Sequence, residues 1–185
     1  MRTFIAIELE PALRRPLLAL LREVFPRHRD VRWCSENQLH VTLKFLGEIR
    51  EDQLPQVCDA ATAASAQVPP FSMRIKGLGC FPNPHSARVL WCGVEDLTQS
   101  CRRWVELADP LFAQLGFPPE NRAFTPHITL GRSRAPGGGR VLSEMLETAP
   151  PPETESMTVR QVVVFESRLL PTGAQYTPRA TLPLG

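Results

Sequence analysis

Two short segments of the chain repeat the same order of residue types: His, a β-branched residue, Thr and Leu. The first runs from His40 to Leu43, and the second runs from His127 to Leu130, 87 positions later. Because successive side chains of a β-strand point to opposite faces, each His shares a face with the Thr two positions after it. The chain therefore presents two matching pairs of an imidazole and a hydroxyl.

Two imidazoles that meet one substrate can act as a general base and a general acid. The unperturbed pKa of His is about 6.5, so at neutral pH one ring can be neutral while the other is protonated. In-line displacement at phosphorus uses such a pair on opposite sides of the phosphate, to deprotonate the nucleophile and to protonate the leaving oxygen. The hydroxyls of Thr42 and Thr129 are suited to donate to the non-bridging oxygens. The motifs therefore predict acid–base chemistry by His40 and His127.

An arginine follows the second motif. Arg132 lies five positions after His127 and offers a planar, positively charged fork that matches phosphate oxygens. Strict alternation puts Arg132 on the face of the strand opposite His127. It reaches the same phosphate only if the strand ends or bulges at Gly131, which glycine permits. The alternative is a solvated loop arginine near Arg134.

Other kinds of site are less well supported by the sequence. The motifs contain no Asp, Glu or Cys that would complete a zinc site, so we predict no metal and no cofactor. The chain has no G-x-S-x-G segment for a serine nucleophile, and no G-x-G-x-x-G or P-loop segment for a nucleotide. A single His on a strand is usually structural, but two copies with the same neighbours favour chemistry. The other histidines, His28 and His85, are predicted to be surface residues.

Composition limits the class of protein. With 185 residues, 43% of them apolar and 22% charged, the chain is predicted to be globular, as one domain or two small lobes. The net charge of +2 is too small for a general nucleic-acid coat, so an anionic partner has to be met by local charge. Five cysteines without a C-x-x-C pair are typical of a reducing compartment. Without a signal peptide or a membrane-spanning apolar run, we predict a cytoplasmic monomer with no membrane contact.

The motifs belong to a pattern of short strands and amphipathic helices. Residues 39–46 alternate strictly and predict a half-buried strand with Leu39, Val41, Leu43 and Phe45 on its core face. The order of elements predicts an α+β chain with two comparable halves. Further strands are predicted at 3–9, 31–34, 71–75, 88–94, 158–167 and 175–182, and helices at 11–25, 51–67, 98–115 and 141–146, with 136–139 as the most flexible segment.

The sequence resembles the two-histidine (2H) phosphoesterases, in particular the LigT/ThpR-type RNA 2′,3′-cyclic phosphodiesterases. The resemblance spans nearly the whole chain. It departs from the family pattern at Cys34-Ser35, where the family often has apolar and Pro residues, and at Gly131. The residues that carry it are Arg32-Trp33, Glu36-Asn37, 40–48 and 124–132, with further likeness at 1–8 and 88–91.

The resemblance implies a single domain over residues 1–185, made of two pseudo-symmetric lobes. Each lobe would be an antiparallel sheet with outer helices, and the two His-x-Thr strands would line the groove between them. It also implies metal-independent hydrolysis of an RNA or nucleotide 2′,3′-cyclic phosphate to a 2′-phosphate. His40 would be the general acid and His127 the general base, while Thr42, Thr129 and Arg132 would hold the phosphate. The alternatives are 2′–5′ ligation of tRNA halves in the same groove and a non-catalytic nucleotide-binding module.

Overall fold

The computed structural model describes residues 1–171 and 173–185 and contains the predicted mixture of strands and helices. The helices are α1 (Pro11–Ala19, continued by one π-helical turn at Leu20–Val24), α2 (Leu54–Ser65), α3 (Ser100–Gln114) and α4 (Pro136–Thr148). The strands are β1 (Arg2–Glu8), β2 (Val31–Trp33), β3 (His40–Glu48), β4 (Phe71–Phe81), β5 (Val89–Glu95), β6 (His127–Ser133), β7 (Met157–Val159), β8 (Gln161–Leu170) and β9 (Gly173–Pro183).

Within the described residues, the nine strands join into one antiparallel sheet. Its order is β7-β4-β5-β6-β3-β1-β8-β9, with β2 paired to β6. The two motif strands, β3 and β6, lie side by side in the middle and are joined through one residue pair, Val41 with Ile128. The α+β class and the antiparallel strands are as predicted. The two predicted sheets are halves of one sheet that meet at the motif strands.

The helices and one face of the sheet enclose the main core. Apolar residues of all four helices pack there, such as Leu17 of α1 and Trp104 of α3, together with Ile5 and Val41 from the central strands. A second, smaller apolar cluster consists of strand residues alone, Phe4, Ala6, Val163 and Phe165, with Tyr176 packed against it. Because Phe4 and Ala6 alternate with buried Ile5 and Ile7 along β1, this cluster lies on the other face of the sheet.

The predicted alternation of β3 holds as far as Leu43 and then reverses. Ala6 of β1 pairs with Thr42, whereas Ile5 pairs with Lys44, so Leu43 is the extra residue of a β-bulge. After the bulge Lys44 is 3% exposed, and Phe45, predicted on the core face, is 42% exposed. The core assignment of Phe45 was therefore wrong, because the extra residue exchanges the faces of Lys44 and Phe45.

Two glycine-containing segments outside the predicted strands and helices belong to regular structure. Strand β4 continues through Gly77 and Gly79 to Phe81, and the glycine-rich segment 136–139 is the first turn of α4. A Cβ added to Gly138 would lie 2.2 Å from the backbone oxygen of Asp30. The glycines of 136–139 therefore let the helix approach the neighbouring backbone closely.

Replacing Gly138 by Ala is expected to lower the free energy of unfolding by about 1–3 kcal/mol, the usual result of overpacking. The matched control is Gly137→Ala, whose new methyl group would meet only the carboxylate end of the Asp30 side chain. That side chain can rotate away, and Ala favours helix, so the control is expected to be neutral or stabilising by up to about 1 kcal/mol. Urea denaturation followed by circular dichroism measures both. Equal losses of stability would contradict the close packing of α4.

Candidate active site

The pairing of Val41 with Ile128 brings the two motifs together. Both side chains are fully buried in the main core, so the residues that flank them point to the opposite face of the sheet. The antiparallel register then places His40 across from Thr129, and Thr42 across from His127. Both His–Thr pairs therefore share one face, on adjacent strands that lie beside each other.

Arg132 reaches that face through a bulge in β6. Trp91 of β5 pairs with Thr129, whereas Leu90 pairs with Gly131, so Leu130 is an extra residue in β6. The bulge turns Arg132 to the side of His127 and Thr129, and the predicted irregularity at Gly131 is found one residue away. A Cβ added to Gly131 would lie 2.3 Å from the ring of Trp33, so the ring packs closely only against glycine.

The bulges in β3 and β6 give the two halves of the site an approximate equivalence. Phe45 and Arg132 each lie three residues after the Thr of their motif, beyond the bulge, and both line the same cavity. The halves thus share a His and a Thr but differ at this position. One side presents an aromatic ring, and the other presents a guanidinium.

His40 is held by hydrogen bonds on both of its ring nitrogens. Its Nε2 lies 3.0 Å from the Thr42 hydroxyl oxygen, which leaves Nδ1 for the hydrogen bond to the backbone of Gln38. The rings of Phe4 and Tyr176 lie beside it, with centroids at 4.9 and 5.2 Å.

Burial lowers the pKa of His40 to about 4. The hydrogen bond to Gln38 raises this pKa, whereas the charges of Arg132 and His127 lower it. The His40 ring is therefore neutral at neutral pH in the free protein.

His127 has a matching environment. Its Nδ1 lies 2.7 Å from the backbone oxygen of Thr125, and since a carbonyl only accepts hydrogen bonds, Nδ1 carries the proton and Nε2 is the basic nitrogen. The rings of Phe81 and Trp91 lie beside it, with centroids at 5.0 and 5.8 Å. Each motif histidine is thus anchored to the backbone two residues before it.

Burial lowers the pKa of His127 as well. The hydrogen bond to Thr125 raises it, and the charges of Arg122 and Arg132 lower it. Both imidazoles therefore favour the neutral form more than an exposed histidine does.

A cavity of about 630 Å³ opens over the motifs. It brings together all five residues that the sequence singled out: His40, Thr42, His127, Thr129 and Arg132. The histidines predicted to be surface residues, His28 and His85, are exposed and lie outside it. The arrangement supplies two basic nitrogens, two hydroxyls and a fixed positive charge to one bound group.

The sequence matches the family described as LigT like Phosphoesterase over residues 7–91 and 93–176. The chain belongs to the LigT-like phosphoesterase family. It is 32% identical over 176 residues to a protein of Methanothermobacter thermautotrophicus named RNA 2′,3′-cyclic phosphodiesterase, with 95% of each chain covered. The resemblance to the two-histidine phosphoesterases is confirmed.

Solved structures agree with this assignment to the LigT-like phosphoesterases. A crystal structure of a Thermus thermophilus protein matches with a TM-score of 0.83 and 29% identity, covering 100% of this chain and 98% of that one. The crystal structure of E. coli LigT complexed with 3′-AMP matches with a TM-score of 0.78 and 25% identity, covering 99% and 97%.

This LigT-like phosphoesterase also lines its cavity with residues that the sequence did not single out as site residues. Most are charged or aromatic: Arg2, Phe4, Arg32, Phe45, Glu120, Arg122 and Tyr176. Phe4 lies in a continuous apolar run, so hydropathy does not distinguish its face from the core face. Arg122 lies with its guanidinium 4.9 Å from the ring centre of Phe81, a residue outside the predicted strands. Phe4 could be assigned to the cavity face only from the alternation along β1. Phe81 could be assigned to a strand only from the pairing of β4 with β5.

Some site types have no counterpart in the described residues. Within 1–171 and 173–185, no group of three or more His, Cys, Asp or Glu side chains is placed to hold a metal ion. None of the helices in that part of the chain is both long and apolar enough to cross a membrane. The five cysteines are free thiols, and burial raises the pKa of Cys34, which lines the cavity, to about 11.

Proposed function

We propose that this chain hydrolyses 2′,3′-cyclic phosphate ends of RNA or nucleotides to 2′-phosphates, without a metal ion. The observation that carries the proposal is the pairing of Val41 with Ile128, which puts two backbone-anchored histidines and Arg132 into one cavity. The name of the Methanothermobacter relative supports hydrolysis of a cyclic phosphate, and the 3′-AMP complex of E. coli LigT supports binding of a nucleotide. A cytoplasmic location, a monomeric state and a single domain of two pseudo-symmetric lobes remain predictions.

In the proposed reaction the two histidines act on opposite sides of the phosphorus atom. His127 takes a proton from water, whose oxygen attacks phosphorus as the bond from phosphorus to O3′ breaks. His40 gives its proton to O3′, so the products are a 2′-phosphate and a 3′-hydroxyl. Thr42, Thr129 and Arg132 donate to the non-bridging oxygens, where negative charge increases. Because His40 is neutral in the free protein, it acquires its proton when the negative phosphate raises its pKa.

Phe45 offers a place for the nucleoside. Its ring is 42% exposed in the cavity, and the guanidinium of Arg2 lies 4.9 Å from its centre. Aromatic rings and arginine planes stack on the bases of single-stranded RNA, with little preference for one base. These contacts support a position for the terminal base on the β3 side of the site.

The value of kcat/KM is expected to be highest on the acid side of about pH 6.5 and to fall as the pH rises. It reports groups of the free protein, where burial lowers the pKa of both histidines. Above those pKa values, the fraction of the protein with one protonated histidine falls about tenfold per pH unit. The value of kcat is expected to peak at higher pH, because the bound phosphate raises both pKa values. A kcat/KM that rises between about pH 6.5 and pH 8.5 would contradict this account.

The function is tested with purified protein, 2′,3′-cyclic nucleotides and short RNAs in excess EDTA. Formation of a 2′-phosphate at an unchanged rate after metal removal is the expected result. A product with a 3′-phosphate would show that O2′, and not O3′, is the leaving oxygen. Nucleotide binding without turnover between about pH 5 and pH 9 would favour the non-catalytic alternative. Faster joining of tRNA halves than hydrolysis would favour ligation.

A further inference from the structure

Arg32 and Arg132 lie directly opposite each other on neighbouring strands. They are Cα partners in the antiparallel pairing of β2 with β6, and both line the cavity. Like charges at opposed positions on one face of a sheet disfavour the pairing of the strands. In the part of the chain that the structure describes, neither guanidinium forms an ion pair with a carboxylate. The arrangement is one that bound anions would stabilise.

Most of the charged side chains that line the cavity are positive. Its lining includes four arginines and one carboxylate, Arg2, Arg32, Arg122 and Arg132 against Glu120, although the whole chain has a net charge of only +2. Glu120 is itself paired with Arg122, at 3.2 Å. One cyclic phosphate monoanion uses only part of this charge. The excess favours a ligand with more than one phosphate.

The two opposed arginines act on overlapping sets of groups, and only Arg132 acts on the histidines. Burial is the main cause of the lowered pKa of both histidines, and among the charges that lower it Arg132 acts on both. Burial raises the pKa of Cys34 and of Tyr176, and the charges of both arginines lower these two values, that of Arg132 more than that of Arg32. The charge of Arg32 has no such effect on either histidine. Arg132 thus lies at the reacting centre, and Arg32 lies to one side of it, toward Tyr176.

Arg32 reaches from β2 to the start of β9. A Cβ added to Gly173 would lie 3.0 Å from Nη2 of Arg32 and 3.3 Å from Nε2 of Gln38. That amide donates to the backbone oxygen of Ala174 at 2.9 Å, which ties the start of β9 to the residues before β3. The guanidinium therefore lies beside the start of β9, where the missing side chain of Gly173 leaves it room.

We propose that Arg32 forms a second phosphate subsite, which binds the phosphate on the 5′ oxygen of the nucleotide that carries the cyclic phosphate. The inference rests on the proposed function and specifies its substrate class. The preferred substrate is then the 3′ end of an oligonucleotide, whose terminal nucleotide has a phosphodiester on its 5′ side. A cyclic mononucleotide with a free 5′-hydroxyl fills only the Arg132 subsite. The planar fork of arginine suits this contact because it binds two phosphate oxygens at once.

The test compares three substrates: adenosine 2′,3′-cyclic phosphate, the same nucleotide with a 5′-phosphate, and the dinucleotide ApA with a 2′,3′-cyclic end. Arg32→Gln is expected to lower kcat/KM about tenfold or more for the two substrates with a 5′ phosphate, as for loss of a charge-assisted hydrogen bond. It is expected to change kcat/KM for the cyclic mononucleotide less than about threefold. Arg32→Lys keeps the positive charge but lacks the planar guanidinium, so its kcat/KM is expected to lie between those of the wild type and Arg32→Gln. Arg134→Gln, an exposed arginine outside the cavity, is the matched control.

The substrates also separate the sources of the phosphate. A loss confined to the dinucleotide means a diester subsite, and an equal loss for the 5′-phosphorylated mononucleotide means that any phosphate at this position suffices; both support the proposal. For the dinucleotide, the slope of log KM against log salt is expected to fall by about 0.7 in Arg32→Gln. If Arg32→Gln lowered kcat/KM equally for all three substrates, or for none of them, the proposal would be overturned.

A binding measurement tests the Arg32 subsite even if the protein does not hydrolyse cyclic phosphates. Adenosine 3′,5′-bisphosphate and adenosine 3′-monophosphate are titrated into wild type and Arg32→Gln by calorimetry. The second phosphate is expected to tighten binding to the wild type and to have little effect on the variant. If it tightens both equally, the subsite is not at Arg32, whether or not the protein hydrolyses cyclic phosphates.

Discussion

Replacing His40 or His127 by Ala is expected to lower kcat/KM for a 2′,3′-cyclic nucleotide by at least about 10²-fold, and up to about 10⁴-fold. Each substitution removes one of the two proton transfers at the phosphate. The double variant is expected to lose much less than the product of the single losses, because the two rings act on one step. Initial rates at several pH values, corrected for the folded fraction of each variant, measure the effect.

His85→Ala is the matched control for these variants. His85 is exposed in the short turn at Pro84–Ser86 and lies outside the cavity, so its loss is expected to leave kcat/KM unchanged. His40 also packs between Phe4 and Tyr176, so urea denaturation of His40→Ala separates lost stability from lost chemistry. If a folded motif-histidine variant kept more than about a tenth of the activity, acid–base catalysis by this pair would be wrong.

Replacing Lys44 by Ala is expected to lower the free energy of unfolding by about 3 kcal/mol, the lower end of the range for breaking a buried ion pair. Lys44 is 3% exposed, and its Nζ donates to Asp109 of α3 at 2.6 Å and to the backbone oxygen of Pro118 at 3.0 Å. Without it, the Asp109 carboxylate loses its counter-charge. Since this carboxylate is 23% exposed, water offsets part of the loss. Chemical denaturation measures the change.

The other lysine of the chain provides the control. Lys76 pairs with Glu95 at 3.6 Å but is 49% exposed, so Lys76→Ala is expected to change stability by less than about 1 kcal/mol. Replacing the pair together, as Lys44→Met with Asp109→Leu, is expected to recover most of the stability lost in Lys44→Ala, because no unpaired charge remains. Equal effects of Lys44→Ala and Lys76→Ala would show that burial of the Lys44 pair contributes nothing.

The Lys44 variant is also expected to affect the reaction. The backbone that Lys44 holds at Pro118 continues to Thr125, whose oxygen anchors His127. Loss of the contact at Pro118 loosens this segment at its start. We therefore expect kcat of Lys44→Ala to fall while the KM for cyclic nucleotides changes less, since the phosphate-binding side chains stay on β3 and β6.

The chemical residues were predictable from the sequence because their signal is local. The alternation of His and Thr within each motif fixes which side chains share a face, and the need to bring Arg132 to His127 indicated a bulge at Gly131. The bulge at Leu43 had no such signal, since Leu43-Lys44-Phe45 contains no glycine and continues the alternation. Its existence depends on the pairing with β1, and the buried charge of Lys44 depends on Asp109, 65 residues away.

The glycine-rich segments show a second limit. Glycine is common in loops and also where two segments pack closely, so the glycines at 136–139 and at 79 do not by themselves indicate which of the two is present. The difference lies in the partner: the backbone oxygen of Asp30 beneath Gly138, and the ring of Trp91 against Gly79. Those partners come from distant parts of the chain, so composition alone predicts a break where the structure has a helix or a strand.

The equivalence of Phe45 and Arg132 bears on the direction in which an RNA strand enters the site. Two matching His–Thr pairs on adjacent antiparallel strands present similar groups from either end, so they do not distinguish the 5′-to-3′ sense of an RNA strand. The sense is set where the halves differ, by an aromatic ring on one side and a guanidinium on the other. The ring suits a base, and the guanidinium suits a phosphate. With the same residue at both positions, the site is expected to distinguish the two orientations of its substrate less sharply.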